Sequence, residues 1–295
     1  MILTSGAQAN LLGLGAAVVW GTADFAGGLV TRRTFPSIVV AIAHGLSLLV
    51  ILAILLVAGT PIPSSQTILY GLISGAAGGI GLMLFYEGLA IGAMGLTSAL
   101  TGVITTILPV FYSYFHQGRP SPTQIAGFVV AIAAIWLIAY TPGDKPHPRG
   151  LGLAVGAGIG FGLLLIFLEK AGAQSVGWAL ALSRVSSASI AITVSAFLLI
   201  RRKGRFSIDP SHASPRALFT RILPLAALAG ALDTSGNFLY TLSALRGRID
   251  VAAVLSSLYP GATILLAAWL LKERTTRTQA LGMALALAAV VLISF

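Results

Sequence analysis

Apolar residues run along this chain in stretches of about twenty, separated by short polar, Pro-rich or Gly-rich breaks. A bilayer core takes roughly 20 residues of α-helix, so each stretch reads as one membrane crossing. Cutting at the breaks predicts ten helices, over about 9–30, 36–58, 66–89, 93–115, 122–140, 150–169, 175–200, 217–241, 250–271 and 278–295. The breaks are built from residues that stop helices, such as Arg32-Arg33-Thr34-Phe35-Pro36, Pro61-Ile62-Pro63 and Tyr140-Thr141-Pro142-Gly143-Asp144-Lys145-Pro146. Arg201 to Pro215 is the longest polar interval and reads as a loop, leaving no folded soluble domain. No Lys or Arg precedes Arg32, so the first stretch is expected to span rather than to be cleaved as a leader.

Composition agrees with this pattern. Hydrophobic residues make up 57% of the chain and charged ones 9%, against about 25% charged in a soluble domain. Too few charges remain to cover a water-facing surface, and a mean hydropathy of +0.95 says the same. The chain is expected to be a multi-pass protein of the cell (inner) membrane. Its formal charge of +10 gathers in short loops, the usual membrane-flank pattern, and does not call for nucleic acid. Most of the 18 Lys and Arg lie in connections 1–2, 5–6, 7–8 and 9–10, so the positive-inside rule places both termini on the opposite, non-cytoplasmic side. Cysteine is absent, which excludes disulfides and thiolate metal sites.

Weak internal repetition runs along the whole length. Offsets of 140 pair Trp20-Gly21 with Gly160-Phe161 and His44 with Arg184; offsets of 154 pair Tyr86 with Tyr240 and Ala90 with Ala244. At 155, Gln124 and Gly127 meet Gln279 and Gly282. The expectation is two copies of a five-helix unit, residues 1–140 and 150–295, with 141–149 as linker. Five is odd, so the second copy enters the membrane from the other side, as in secondary transporters whose site lies between inverted repeats.

Polar groups at membrane depth are the candidate chemistry. VVWGTADFAGGL, residues 18–29, is an apolar helix with a carboxylate inside it. Asp24 and His44 lie equally far either side of Thr34, each about 15 Å from the turn and near the midplane. Two antiparallel helices hold them level, able to pair if their faces meet. A lone carboxylate there costs at least about 2.5 kcal/mol, so it pairs, takes a proton or faces water. A substrate contact, a proton site and a structural Asp–His pair all satisfy that condition. Arg184 sits in equally apolar surroundings, either bonded to backbone carbonyls or anchoring an anionic group. Glu169 is level with Arg184 across the next turn, or interfacial beside Lys170.

Asp233, Asn237, Tyr240 and Ala244 recur at helical spacing and mark one face, which argues for a wet cavity. Tyr86 with Glu87 offers a similar patch, though Glu87 near the helix end also fits an interfacial carboxylate. Trp20 can stack on a planar substrate or simply pack. Thr101, Thr105, Thr106, Ser256 and Ser257 either line the cavity or satisfy their own helix carbonyls. Gly71, Gly75 and Gly79, like Gly152, Gly156 and Gly160, recur every fourth residue and let helices approach closely. The histidines His44, His116, His147 and His212 have no metal-ligand spacing. The glycines of 75–81 lack a following Lys-Ser/Thr, so no P-loop and no ATP is implied. No cofactor is called for.

Trp20-Gly21 in the first helix, Tyr240-Thr241-Leu242-Ser243-Ala244-Leu245 with Ser256-Ser257-Leu258-Tyr259-Pro260, and Leu271-Lys272-Glu273-Arg274-Thr275 with Gln279 and Gly282 resemble the EamA type of the drug/metabolite transporter superfamily. The resemblance covers essentially the whole chain. It implies a ten-helix permease, often an exporter of amino acids, metabolites or drugs, with a central cavity between the halves and termini inside the cell. His44 stands where that family commonly has arginine, and Arg119 lies near the first-half position corresponding to Glu273. The expectation is therefore a secondary carrier of a small organic solute working by alternating access, and not an enzyme. Its expected site is Trp20, Asp24, His44, Tyr86, Arg184, Asp233, Asn237 and Tyr240, with a coupling proton on Asp24 or Asp233. The rival readings are an intramembrane lipid-modifying enzyme and an accessory membrane subunit.

Overall fold

A computed structural model describes residues 4–31, 34–91, 94–139, 148–201, 222–270 and 276–294. The predicted Arg32-Arg33 turn, the Tyr140–Pro146 connection, the polar interval beyond Arg201, the Leu271–Thr275 motif, His147 and His212 lie outside the described residues. Eleven helices are described: α1 (Ser5–Thr31), α2 (Pro36–Val57), α3 (Ser65–Ile91), α4 (Met94–His116), α5 (Pro122–Ala139), α6 (Pro148–Gly172), α7 (Val176–Arg201), α8 (Leu223–Arg246), α9 (Ile249–Ser256), α10 (Tyr259–Leu270) and α11 (Arg277–Ser294). Seven of them, α1 to α4, α6, α7 and α11, are long and apolar enough to cross a membrane. α5 is apolar but shorter. α8 is diluted by Asp233, Thr234, Ser235 and Asn237, and the stretch read as a ninth crossing is interrupted.

Local chemistry sets the ends. Pro36 opens α2 behind an extended Phe35, where a missing N–H costs nothing. Gly59 closes it at φ 59°, with the Thr60 amide returning to the Leu55 carbonyl at 3.0 Å. α5 and α11 start with the same device. The Ser121 amide donates to Gln124 Oε1 at 3.0 Å while the Gln124 amide donates to Ser121 Oγ at 3.1 Å. Thr276 and Gln279 exchange the same pair at 2.9 and 3.2 Å. These are capping boxes, and they give the repeated glutamine its physical reason.

Pro260 explains the interruption. It has no N–H to return to the Ser256 carbonyl, so the chain tightens around it. The Leu258 amide bonds the Leu255 carbonyl at 3.3 Å and the Gly261 amide bonds the Leu258 carbonyl at 3.0 Å. Ser257 and Leu258 thus sit between two short helices, and Ser256 and Tyr259 flank the break.

Packing follows the small residues. α3 lies along α6 and α7, α1 along α8, α9 and α10, α2 against α7 and α8, α4 against α6, and α5 against α11. A Cβ on Gly71 would lie 2.7 Å from Leu182 Cβ, on Gly75 1.9 Å from the Ser183 carbonyl oxygen, and on Gly79 2.7 Å from Ser187 Cβ. Gly160 meets the Ala77 carbonyl at 2.7 Å, whereas Gly156 meets only the tip of Leu84 and Gly152 faces open space. The α5–α11 crossing is reciprocal: Gly127 faces Ile293 and Gly282 faces Ile138, each partner 155 positions from its counterpart. Two apolar clusters result, one around Phe85, Leu255 and Tyr259, the other around Leu165, Leu168 and Ile249. Trp20 and Phe161 pack against both, and the polar site lies where the clusters meet.

Candidate functional site

The glycine face of α3 brings α7 close enough to carry Arg184 into the bundle. Its side chain is 2% exposed, and its Nη2 lies 2.7 Å from Asp233 Oδ2 on α8. Nη1 lies 2.9 Å from His44 Nε2 on α2. A guanidinium only donates, so Nε2 must accept and the ring proton sits on Nδ1. Nδ1–H then donates to Ser187 Oγ at 2.8 Å, and Ser187 Oγ donates to the Arg184 carbonyl at 3.3 Å. His44 is therefore neutral here, and its 3.4 Å approach to Asp233 Oδ2 joins two acceptors rather than forming an ion pair. Asn237, one turn on, adds an Nδ2–H donor to Asp233 Oδ2 at 3.2 Å. Three helices converge on one carboxylate.

α1 reaches the same carboxylate residue from its backbone side. Trp20 Nε1–H donates to the Asp233 carbonyl at 3.3 Å, and its ring stacks on Tyr240 with centroids 5.9 Å apart. Room for that indole comes from Gly236, where a Cβ would stand 2.4 Å from Trp20 Cδ1. Gly21 does the same for the α9–α10 break: its Cβ would lie 2.5 Å from the Tyr259 carbonyl oxygen, and Thr263 Oγ1 donates to the Gly21 carbonyl at 3.0 Å. The Trp-Gly pair is thus an indole wedge followed by a close-approach point. Trp20→Phe, which keeps the ring and deletes the donor, is expected to cost about 1 kcal/mol. Trp20→Ala, which also loses the stack, costs about 3–5 kcal/mol. Thermal melts of the purified protein in detergent read both.

A small cavity opens beside this network, with about 40 Å³ available to the centres of water molecules. That holds a few waters, while sites for organic ligands run to about 300 Å³ or more. Trp20, Asp24, Thr105, Asp233, Asn237, Ser257 and Tyr259 line it, with Leu82 and Phe161 among the apolar walls. Four of its polar atoms are buried without a protein partner: Thr105 Oγ1, Asn237 Oδ1, Ser257 Oγ and the Tyr259 hydroxyl. The Asp24 carboxylate makes no hydrogen bond or ion pair among the described residues. A second pocket of about 20 Å³ lies across Asp233 and Asn237, beside His44, Arg184 and Ser187. Arg184 Nε and Nη2, also without a hydrogen-bond partner, belong to that second pocket, Nη2 being held by its 2.7 Å ion pair with Asp233 Oδ2.

The eight residues singled out from sequence therefore divide. His44, Arg184, Asp233 and Asn237 form one bonded cluster, Trp20 is tied to it, and Asp24 faces the cavity. Tyr240 is fully buried behind Trp20, its hydroxyl donating to the Leu165 carbonyl at 3.3 Å. Tyr86 packs in the core over Gly27 and lines neither cavity. Asp24 and His44 do not pair, because α2 packs on α7 and α8 and turns His44 that way. Arg184 bonds side chains rather than backbone carbonyls, and no ion pair joins it to Glu169. Lys170 places its ammonium over the Tyr70 and Tyr112 rings at 5.5 and 5.0 Å. Glu87 pairs with Arg149 at 3.1 Å on an exposed edge, which fits the interfacial reading.

Among the hydroxyls, Thr105 and Ser257 face the cavity, while Thr101, Thr106 and Ser256 bond carbonyls of Ala154, Val103 and Ala253. Tyr259 and Ser187 escaped the sequence reading; Pro260 was the available signal for Tyr259, since a broken helix presents its ends to a site. The Arg248–Asp250 pair at 2.7 Å, with a buried carboxylate and a partly exposed guanidinium, was missed too. Its guanidinium also ties α9 to the Gln117 and Gly118 carbonyls, away from the cavity. No group of three or more His, Asp or Glu able to hold a metal occurs among the described residues.

Comparison with curated proteins gives no match. A solved structure described only as the crystal structure of a protein superposes with a TM-score of 0.75 at 18% identity, over 97% of this chain and 98% of that one. At that identity the likeness speaks for the fold alone. The model of the EamA-like transporter family matches twice, over residues 7–140 and 148–295. Two matches that together take in nearly the whole chain, on a bundle of membrane-spanning helices, place this protein in the EamA-like transporter family.

Proposed function

We propose that the protein is a secondary carrier in the cell (inner) membrane that exports a small organic solute, such as an amino acid, a metabolite or a drug, by alternating access. Ten crossings form two five-helix halves, residues 1–140 and 150–295, inserted in opposite senses and joined by 141–149. What supports two related halves is the exchange of packing partners: α3 lies on α6 as α8 lies on α1, and α4 on α6 as α9 and α10 lie on α1. The reciprocal Gly127–Ile293 and Gly282–Ile138 contacts point the same way. The solute binds where the halves meet, against Asp24, Thr105, Asn237, Ser257 and Tyr259, with Arg184, His44 and Asp233 holding α2, α7 and α8 in register. Asp24 carries the coupling proton, since Asp233 already has a guanidinium for its charge.

The observation that carries this reading is the set of four orphaned polar atoms around one cavity. Each unpaired buried group costs about 1–3 kcal/mol, a penalty relieved by water or by a ligand. The cavity as it stands is too small for an organic solute, so binding requires the halves to separate.

The chain has no cysteine, which makes the test clean. Ser257→Cys and Thr105→Cys are introduced singly, and a membrane-impermeant thiol reagent is added to right-side-out and to inside-out vesicles. A carrier exposes each position to both sides in turn, so labelling is expected in both preparations. Labelling from one side only, or from neither, fits a membrane enzyme or an accessory subunit and defeats the carrier reading.

A further inference from the structure

We infer that the solute accepted by this cavity carries a primary or secondary ammonium group, with the Asp24 carboxylate as its counter-charge. The inference rests on the carrier reading and adds the chemistry of what is carried.

Hydrogen-bond accounting leads there. Asn237 cannot be turned round, because its Nδ2–H is held by the Asp233 carboxylate at 3.2 Å and a carboxylate only accepts. Its Oδ1 must therefore point away, and it is left unpartnered in a side chain that is 2% exposed. Asp24, once its coupling proton has left, adds a second acceptor-only group on the same cavity. Thr105, Ser257 and Tyr259 hydroxyls donate or accept as needed. The N–H donors that face this space are engaged: Trp20 Nε1–H on the Asp233 carbonyl and Asn237 Nδ2–H on the Asp233 carboxylate. Arg184, whose Nε and Nη2 make no hydrogen bond, lines the second pocket across Asp233 and not this one. Three hydroxyls are the free donors left on the cavity's lining, with neither a free N–H nor a positive charge among the described residues there.

Charge gives the same answer. Arg184 cancels Asp233 and His44 is neutral, so Asp24, on giving up its proton, is left as an uncompensated carboxylate in a medium that penalises it. A ligand that completes the site brings positive charge and several N–H groups. An anion meets an uncompensated carboxylate; a quaternary ammonium brings charge but leaves Asn237 Oδ1 unsatisfied. Trp20, Phe161 and Tyr259 rings on the same walls suit a cation and an apolar body beside it.

The test uses four probes of one shape: 2-phenylethylammonium, its N,N,N-trimethyl analogue, 2-phenylethanol and 3-phenylpropionate. Each is scored for protecting Ser257→Cys from the thiol reagent and for thermal stabilisation of the unmodified protein. Primary ammonium is expected to protect at least about tenfold better than the other three, from the added strength of charge-assisted hydrogen bonds. Adding Asp24→Asn should erase the preference for ammonium over alcohol, and Asp24→Glu should keep it; the pair guards against a simple folding defect. Equal protection by phenylethanol or phenylpropionate, or an ammonium preference that survives Asp24→Asn, overturns the inference. Two-sided labelling without protection by any probe sinks the ammonium assignment and leaves the carrier standing. One-sided labelling with ammonium protection does the reverse.

Discussion

Replacing Arg184 alone should destabilise the protein more than almost any other single change. Arg184→Met leaves the Asp233 carboxylate with only the Asn237 amide as side-chain donor, deep in the bundle. It also strips His44 Nε2 of the group it accepts from. Breaking one side of a buried ion pair costs about 3–5 kcal/mol, because the remaining charge is uncompensated. Asp233→Leu alone should cost a similar amount, since a guanidinium 2% exposed is then unpaired. The double variant Arg184→Met/Asp233→Leu should recover most of the lost stability, as apolar replacement of whole buried pairs often does. Transport should stay lost in all three. Thermal melts in detergent and counterflow in proteoliposomes measure the two quantities separately. A single variant as stable as the unmodified protein, or a double no better than either single, would mean the cluster is not coupled as its geometry implies.

Most of the helix layout was legible because membrane helices leave a strong trace. Pro36, Pro61, Gly118 and Pro122 announce their own boundaries, and the described helices begin or end within a few residues of the predicted positions. The interruption at Ser257 was less visible: Pro260 was in view, but a proline inside a helix gives no sign by itself of whether it kinks or breaks. Pro109 lies inside α4 without ending it.

The site was legible as a set of residue types at depth, and not as a set of pairs. Height above a turn placed Asp24 and His44 level, but height says nothing about the face each presents. The partner of His44 was decided by α2 packing on α7 and α8, a tertiary choice in which Gly230 on α8 admits the backbone of Ala43. Likewise the Asp233, Asn237, Tyr240 stripe is one helix face, yet neighbours decide its fate residue by residue. Asp233 and Asn237 reach the cavity, while the ring of Trp20 covers Tyr240. Hydroxyls are least readable of all, since Thr105 and Thr106 differ by one position and end on opposite duties.

Gly75→Ala should separate the two helices that hold this site together. The added Cβ would lie 1.9 Å from the Ser183 carbonyl oxygen and 2.3 Å from Ser186 Oγ, both on α7. A hydroxyl can rotate away, but a helix carbonyl cannot, so α3 and α7 must move apart by about an ångström or more to restore a normal contact. Ser183 is the residue before Arg184, and Ser186 Oγ is itself tied to the Leu72 carbonyl of α3 at 2.8 Å. The shift therefore carries the guanidinium away from Asp233 and loosens the α3–α7 seam at once. Overpacking costs about 1–3 kcal/mol, and the misplaced ion pair adds to it. Gly152→Ala is the matched control, on a helix of the same bundle with nothing within 4 Å of the new methyl group. It should melt at or slightly above the unmodified temperature, since alanine favours the helix by about 0.5–1 kcal/mol. If Gly75→Ala melts like Gly152→Ala and still transports, close approach at this glycine is not what delivers Arg184 to the centre of the bundle.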